Sequence, residues 1–254
     1  MLGLYFSGTG NTRFCVEYML SKIDKTANAY PIEDSEVRAR IAEQEEIVFG
    51  YPVYYSNIPK IVRDFIENNK NVWKGKKIYL VATMGLFSGD GTGVAARVLR
   101  KYGAVITGGL HLKMPDCKGD VKLLKKPLEQ NINIVNRAKK KIERAAIRYR
   151  QGKPAKDGLG IFSHIAGLFG QRLYFSKKTR SYTDKLKIDT KKCIGCGKCS
   201  VLCPMQNISL KDGKAVPGEK CTMCYRCFSN CPVQAITLIG KEVLEQSRIE
   251  KYIR

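Results

Sequence analysis

Leu2-Gly3-Leu4-Tyr5-Phe6 runs directly into Ser7-Gly8-Thr9-Gly10-Asn11-Thr12, and Phe14, Val16, Met19 and Leu20 follow at helical spacing. An apolar run, a loop of glycines and hydroxyls, and a 3.6-residue period read as strand, loop and helix. A loop in that position can hold a phosphate without any cation. The first N–H groups of the helix, glycines that admit a close backbone, and the hydroxyls of Ser7, Thr9 and Thr12 supply convergent donors. Two other phosphate motifs fit less well: there is no Gly-Lys-Ser/Thr, and Gly8-x-Gly10-x-x-Arg13 lacks the third glycine of the dinucleotide fingerprint. Glu33 stands near the end of the next strand, where a ribose-binding acid would be, which keeps a nicotinamide reading open.

Working outward, strands are expected at Leu2–Phe6, Ala27–Ile32, Glu46–Tyr51, Lys77–Thr83 and Ala104–Leu112. Helices are expected at Thr12–Ile23, Ile58–Asn68 and Thr92–Lys101, and Lys122–Arg150 holds a last, very basic one. Strands alternating with helices make a doubly wound parallel sheet, whose ligands sit beyond the carboxyl ends of the strands. The loops after strands one, three and four are therefore the places to look. The second of these is Pro52-Val53-Tyr54-Tyr55-Ser56-Asn57 and the third is Thr83-Met84-Gly85-Leu86-Phe87-Ser88-Gly89.

Ser7–Thr12 resembles the Thr/Ser-x-Thr-Gly-x-Thr signature of the flavodoxin family, in which it cradles the phosphate of FMN. The resemblance implies a five-stranded flavodoxin-like sheet with Ser7, Gly8, Thr9, Gly10, Asn11 and Thr12 at the phosphate. It also implies that the other two loops, 52–57 and 83–89, hold the isoalloxazine ring. Tyr54 or Tyr55, with Phe87, would give the aromatic faces and backbone amides would meet the polar edge. No adenine site is evident, which favours FMN over FAD.

The last quarter has its own chemistry. Cys193-x2-Cys196-x2-Cys199-x3-Cys203-Pro204 returns 28 residues later as Cys221-x2-Cys224-x2-Cys227-x3-Cys231-Pro232, and Gln206, Ile208 and Leu210 match Gln234, Ile236 and Leu238. Zinc sites pair two C-x2-C knuckles across a longer spacer and do not use a third cysteine at x2. Three thiolates within seven residues wrap one corner of a cubane, and the fourth serves the other cluster. One [4Fe-4S] cluster then takes Cys193, Cys196, Cys199 and Cys231, and the second takes Cys221, Cys224, Cys227 and Cys203. This part resembles the bacterial two-cluster ferredoxins, small α+β domains. The whole is similar to the flavodoxin/ferredoxin fusion proteins of anaerobes.

The expected divisions are 1–150 for the flavin domain, 151–183 for a packed linker, 184–240 for the ferredoxin domain and 241–254 for a charged tail. The linker carries Ile161, Phe162, Ile165, Leu168, Phe169 and Leu173 on one side, with Arg172, Lys177, Lys178 and Arg180 as a basic rim. It would suit a pocket for a small anionic organic substrate, interdomain packing or peripheral contact with an anionic membrane. Cys15 and Cys117 read as small apolar side chains, and His111 and His164 as structural histidines. The formal charge of +22, from 45 Lys and Arg against 23 Asp and Glu, is densest from Lys122 to Arg180. Part of it offsets clusters and phosphate; the rest could meet an acidic redox partner. No apolar run approaches the roughly 20 residues of a membrane span, and clustered cysteines fit a reducing cytoplasm.

Clusters move single electrons and a flavin accepts one or two, so the expected activity is an oxidoreductase drawing electrons from a partner protein and reducing an organic substrate at FMN. The alternatives are an electron carrier without a small-molecule site and an iron–sulfur regulator using the basic strip on nucleic acid. Nucleic acid is not expected as a partner.

Overall fold

Strands β1 (Leu2–Tyr5), β2 (Ala29–Pro31), β3 (Glu46–Pro52), β4 (Lys77–Met84) and β5 (Val105–Lys113) pair in the order β2-β1-β3-β4-β5, every pair parallel. Near-continuous apolar runs such as Ile47–Phe49 and Ile78–Ala82 are buried on both sides, as a covered parallel sheet demands. Helices α1 (Asn11–Ile23) and α5 (Leu128–Arg150) cover one face through Val16, Met19, Val135 and Ile142. Helices α2 (Val37–Glu43), α3 (Lys60–Asn68) and α4 (Gly91–Lys101) cover the other through Ile41, Val62, Ile66 and Leu99. The strand order reverses between β1 and β3, so a crevice opens there at the carboxyl ends. The computed structural model describes residues 1–54, 57–86, 89–160 and 185–253.

Two elements differ from the periodic reading. Helix α2 has only two buried positions, Val37 and Ile41, too few to announce a period. Helix α5 starts at Leu128 and not near Lys122, because Pro127 disfavours helical backbone at Lys126; Lys122–Leu124 form a single 3-10 turn ahead of it. Beyond α5 the chain runs beside β5. The Gly109 N–H donates to the Ala155 carbonyl and the Asp157 N–H to the Gly109 carbonyl, both at 2.8 Å. Lys141 Nζ fixes Asp157 Oδ2 at 2.7 Å. The linker residues from Ile161 to Arg180 named above lie outside the described residues, as does His164.

In the cysteine module β6 (Lys187–Ile188) pairs antiparallel with β9 (Ile236–Thr237), and β7 (Ile208–Lys211) with β8 (Lys214–Pro217). Two five-residue helices, α6 (Lys198–Leu202) and α7 (Arg226–Asn230), stand 28 residues apart. The backbone repeats at the same offset, with left-handed φ at Gly195 and Met223, at Gly197 and Tyr225, and at Gln206 and Gln234. The second copy holds Met223 and Tyr225 where the first has glycine, at a cost of roughly 1 kcal/mol each.

Three attachments join the halves. Asp120, buried in the loop after β5, accepts the Tyr225 hydroxyl at 2.9 Å and the N–H groups of Leu238, Ile239 and Gly240 at 2.8, 2.9 and 3.0 Å. Arg226 of α7 donates to the Ser7 carbonyl at 2.9 Å and pairs with Glu33 at 2.6 Å. The chain then returns: Ile249 and Tyr252 enter the core beside α1 and α5, and the Ile249 N–H donates to the Thr9 carbonyl at 3.0 Å.

Candidate cofactor site

Gly10, with φ at +88°, turns the chain from β1 into α1, so the first N–H groups of the helix face the crevice. No side chain caps them. A cleft of about 240 Å³ lies against them, lined by Ser7, Gly8, Thr9, Asn11 and Thr12 on one side. Pro52, Val53 and Tyr54 line a second side, and Thr83, Met84, Gly85 and Leu86 a third. Three loops separated by up to 70 residues thus converge, as the strand order dictates. Gly10, Asn57 and Gly89 do not line it: Gly10 caps α1, Asn57 exchanges both backbone hydrogen bonds with Tyr54 at 3.0 Å, and Gly89 precedes α4. Tyr55, Ser56 and Phe87 lie outside the described residues.

The polar atoms there fit an anion. Ser7 Oγ is buried without a hydrogen-bond partner among the described residues and can donate to an anion; Asn11 Oδ1, also without one, is an acceptor and would meet a donor instead. Asn11 Nδ2 is already held by the Pro115 carbonyl at 2.8 Å, and Thr12 Oγ1 by Thr83 Oγ1 at 2.8 Å. Ser7, Thr9 and the free N–H groups of α1 are therefore the unspent donors.

The wall opposite was not anticipated. Met114, Pro115, Asp116, Cys117, Lys118 and Leu124 from the loop after β5 line the cleft, and so does Cys224 of the cysteine module. The rule that ligands sit beyond strand ends applies to β5 as well and would have found the loop. Nothing local would have found Cys224. A methyl group at Gly8 would stand 1.8 Å from the Cys224 carbonyl oxygen, so only glycine allows this approach. Burial pushes the Tyr54 phenol well up, and the thiols of Cys117 and Cys224 push it further. Cys117 is itself driven up to about 12, first by burial and then by Asp116. Cys15 is fully buried in the core, and His111 faces Thr92 at 3.0 Å, away from the cleft. Glu33, the possible ribose acid, is taken by Arg226.

The cysteines gather in two sets. Cys193, Cys196, Cys199 and Cys231 line one cavity. Burial pushes the Cys227 thiol up, and the neighbouring thiols of Cys224, Cys221 and Cys203 push it further. Backbone N–H groups donate to sulfur in register with the repeat, Asn207 to Cys203 and Ala235 to Cys231, both at 3.3 Å. Such bonds stabilise thiolate ligands. Among the described residues no three Cys, His, Asp or Glu side chains close on a single-ion site.

Residues 2–103 match the model of a flavodoxin domain and residues 186–238 that of a 4Fe-4S dicluster domain. The chain joins a flavodoxin domain to a 4Fe-4S ferredoxin domain. Its domain types are those of FMN- and iron–sulfur-dependent electron transfer. Thirty residues, 12% of the chain, are 53% identical to ferredoxin-2 of Desulfomicrobium norvegicum, and the match spans about half of that protein's length, 51%. Among solved structures, the flavodoxin of Megasphaera elsdenii is 22% identical over 58% of this chain and 99% of its own, with a TM-score of 0.43. Flavodoxin 2 of Bacillus cereus is 18% identical over 59% of this chain and 97% of its own, with a TM-score of 0.45. Among the described residues no helix of this flavodoxin–ferredoxin chain is long and apolar enough to cross a membrane.

Proposed function

We propose that the chain is an FMN- and iron–sulfur-dependent oxidoreductase that collects single electrons in its ferredoxin domain and delivers pairs to a small anionic organic substrate at the flavin. The observation that carries this reading is the shared wall, with Cys224 lining the same cleft as Ser7, Gly8, Thr9, Asn11 and Thr12 and its carbonyl seated on Gly8. When bound, a 4Fe-4S cluster exchanges one electron at a time and FMN one or two, so the pairing of the sites makes a converter.

Ser7, Thr9 and the N–H groups at the start of α1 would hold the phosphate, while Val53, Tyr54, Met84 and Leu86 would flank the ring. Cys203, Cys221, Cys224 and Cys227 would hold the flavin-side cluster, and Cys193, Cys196, Cys199 and Cys231 the outer one. Arg226 keeps the first set against the phosphate loop through Ser7 and Glu33. Lys118 at the cleft would attract an anionic substrate. A second reading, an electron carrier serving protein partners only, is favoured by Leu86, 65% exposed at the cleft's edge.

Anaerobically purified protein should contain about eight irons and one FMN per chain, and Cys196→Ala about four irons with FMN kept. Stoichiometric zinc without iron would refute the reading. Anaerobic screening of organic acceptors against the dithionite-reduced protein, followed by reoxidation of the flavin, separates the reductase from the carrier.

A further inference from the structure

The duplication of the ferredoxin domain offers an internal comparison. Each position in the first repeat has a counterpart 28 residues on, and the second repeat is the one seated on the flavodoxin domain. There Cys224 lines the cleft, Arg226 grips Ser7 and Glu33, and Ser229 and Leu238 are covered to 1% and 3% exposure. The counterparts in the first repeat are Cys196, Lys198, Val201 and Leu210. All four are exposed, Val201 at 87% and Leu210 at 46%, and Ile194 beside them at 63%. The surface that one repeat uses for docking is thus open on the other, with Val201 in place of Ser229 and Ile194 in place of Thr222.

These residues form one face. Ile194 and Lys198 line the cavity of the first cysteine set together with Cys196. Val201 lies one turn along α6 from Lys198, and a methyl group at Gly197 would be 3.4 Å from Leu210 Cδ1. Lys191 and Lys192 precede Cys193 and Ile194 in the chain and Lys198 opens α6; all three are exposed, as are Lys187 and Lys211, and none pairs with a carboxylate among the described residues. Between Lys185 and Lys214 the only acids are Asp189 and Asp212.

We infer that this face docks an acidic one-electron carrier protein, of ferredoxin type, at the outer cluster. The inference rests on the functional reading above and specifies its partner. Where Arg226 meets Glu33 inside the chain, Lys198 meets a carboxylate of the partner, and Val201, Ile194 and Leu210 take the place of the covered interdomain contact. An exposed apolar centre on a lysine-rich repeat with only two acids suits a brief, electrostatically steered encounter. Each encounter oxidises the partner and reduces the chain by one electron, and two encounters supply the pair that leaves at the flavin.

The test uses the full holoprotein and a small acidic 4Fe-4S ferredoxin as probe. Binding of the oxidised probe is measured by calorimetry at two salt concentrations, and flavin bleaching by stopped flow with the reduced probe or with dithionite. Lys198→Glu and Val201→Glu, compared with Lys139→Glu on α5, should each weaken probe binding and slow probe-driven bleaching about tenfold or more, a change of about 1.4 kcal/mol. Added salt should weaken wild-type binding. Dithionite-driven bleaching and the iron and FMN contents should not change in Val201→Glu or in Lys139→Glu, neither of which lines a cysteine cavity. Val201 is so exposed that its replacement leaves the fold intact. Wild-type binding and rates in both face variants, or loss in Lys139→Glu alone, would overturn the docking face while the functional reading stands. A wild-type protein without iron or FMN would overturn both.

Discussion

Replacing Asp120 with Ala removes the acceptor on which four donors of the ferredoxin domain converge, the Tyr225 hydroxyl on Oδ1 and the N–H groups of Leu238, Ile239 and Gly240 on Oδ2. The side chain is 5% exposed, so water cannot replace it without opening the junction. A hydrogen bond to a charged group contributes about 1.5–3 kcal/mol, and each buried donor left unpaired costs about 1–3 kcal/mol. Against this, the variant no longer buries a carboxylate, which itself costs several kcal/mol. The net loss is therefore about 3–4 kcal/mol, well short of the sum of four bonds. With a urea slope of about 1–3 kcal/mol per molar, the midpoint should fall by about 1–4 M. Asp120→Asn keeps one acceptor oxygen and should lose roughly half as much. The assay is a urea titration of the anaerobic holoprotein followed by iron–sulfur absorption and by flavin fluorescence. Because Tyr225 sits between Cys224 and Cys227, the iron–sulfur signal should fail first. A midpoint for Asp120→Ala within about 0.3 M of wild type in both signals would refute the reasoning.

Ser7→Ala combined with Thr9→Ala removes two hydroxyl donors from the phosphate and should weaken FMN binding roughly a hundredfold or more, read by fluorescence titration of the apoprotein, with iron content unchanged; unaltered affinity would give the loop another role. Gly8→Ala drives a methyl into the Cys224 carbonyl and should slow dithionite-driven flavin bleaching about tenfold or more at full cofactor content, whereas a wild-type rate would deny the junction its part in transfer. His111 is held down to about 4, first by burial and then by Lys141, with Asp157 opposing, against an ordinary value of 6.5. Its contribution to stability is complete above pH 6.5 and is lost as the pH falls towards 4, so His111→Gln should flatten the decline in melting temperature across that window. An unchanged slope would place the titration elsewhere.

What the sequence disclosed is what its chemistry needs locally. The β1 loop carries its own donors, and a cubane demands three thiolates at fixed spacing, so Ser7–Thr12 and both cysteine runs are legible in any chain that contains them. The partners of the loop after β5 are not. Asn11 finds Pro115 across 104 residues, and Asp120 finds Tyr225 across 105 and Leu238 across 118. A single aspartate in a basic stretch has no period or motif to mark it. Residues 241–254 read as a charged tail because Ile249 and Tyr252 stand among Glu, Lys and Arg; two apolar positions define a face only once α1 and α5 are there to receive them.

That returning segment changes how the flavin cleft is built. Ile249 lies against Gly10 and donates to the Thr9 carbonyl, and Glu250 pairs with Arg13 at 2.8 Å in the first turn of α1. The phosphate loop is thus braced from outside by the end of the chain, while Cys224 closes the cleft from within. Both braces come after β5, so the flavodoxin domain supplies the donors and the ferredoxin domain with its tail fixes their positions. A loop whose glycines leave it free to move holds an anion tightly only when something else restrains it. Under the proposed function the restraint and the electron source are the same part of the molecule. The shape of the cleft is thereby tied to the seating of the ferredoxin domain against it.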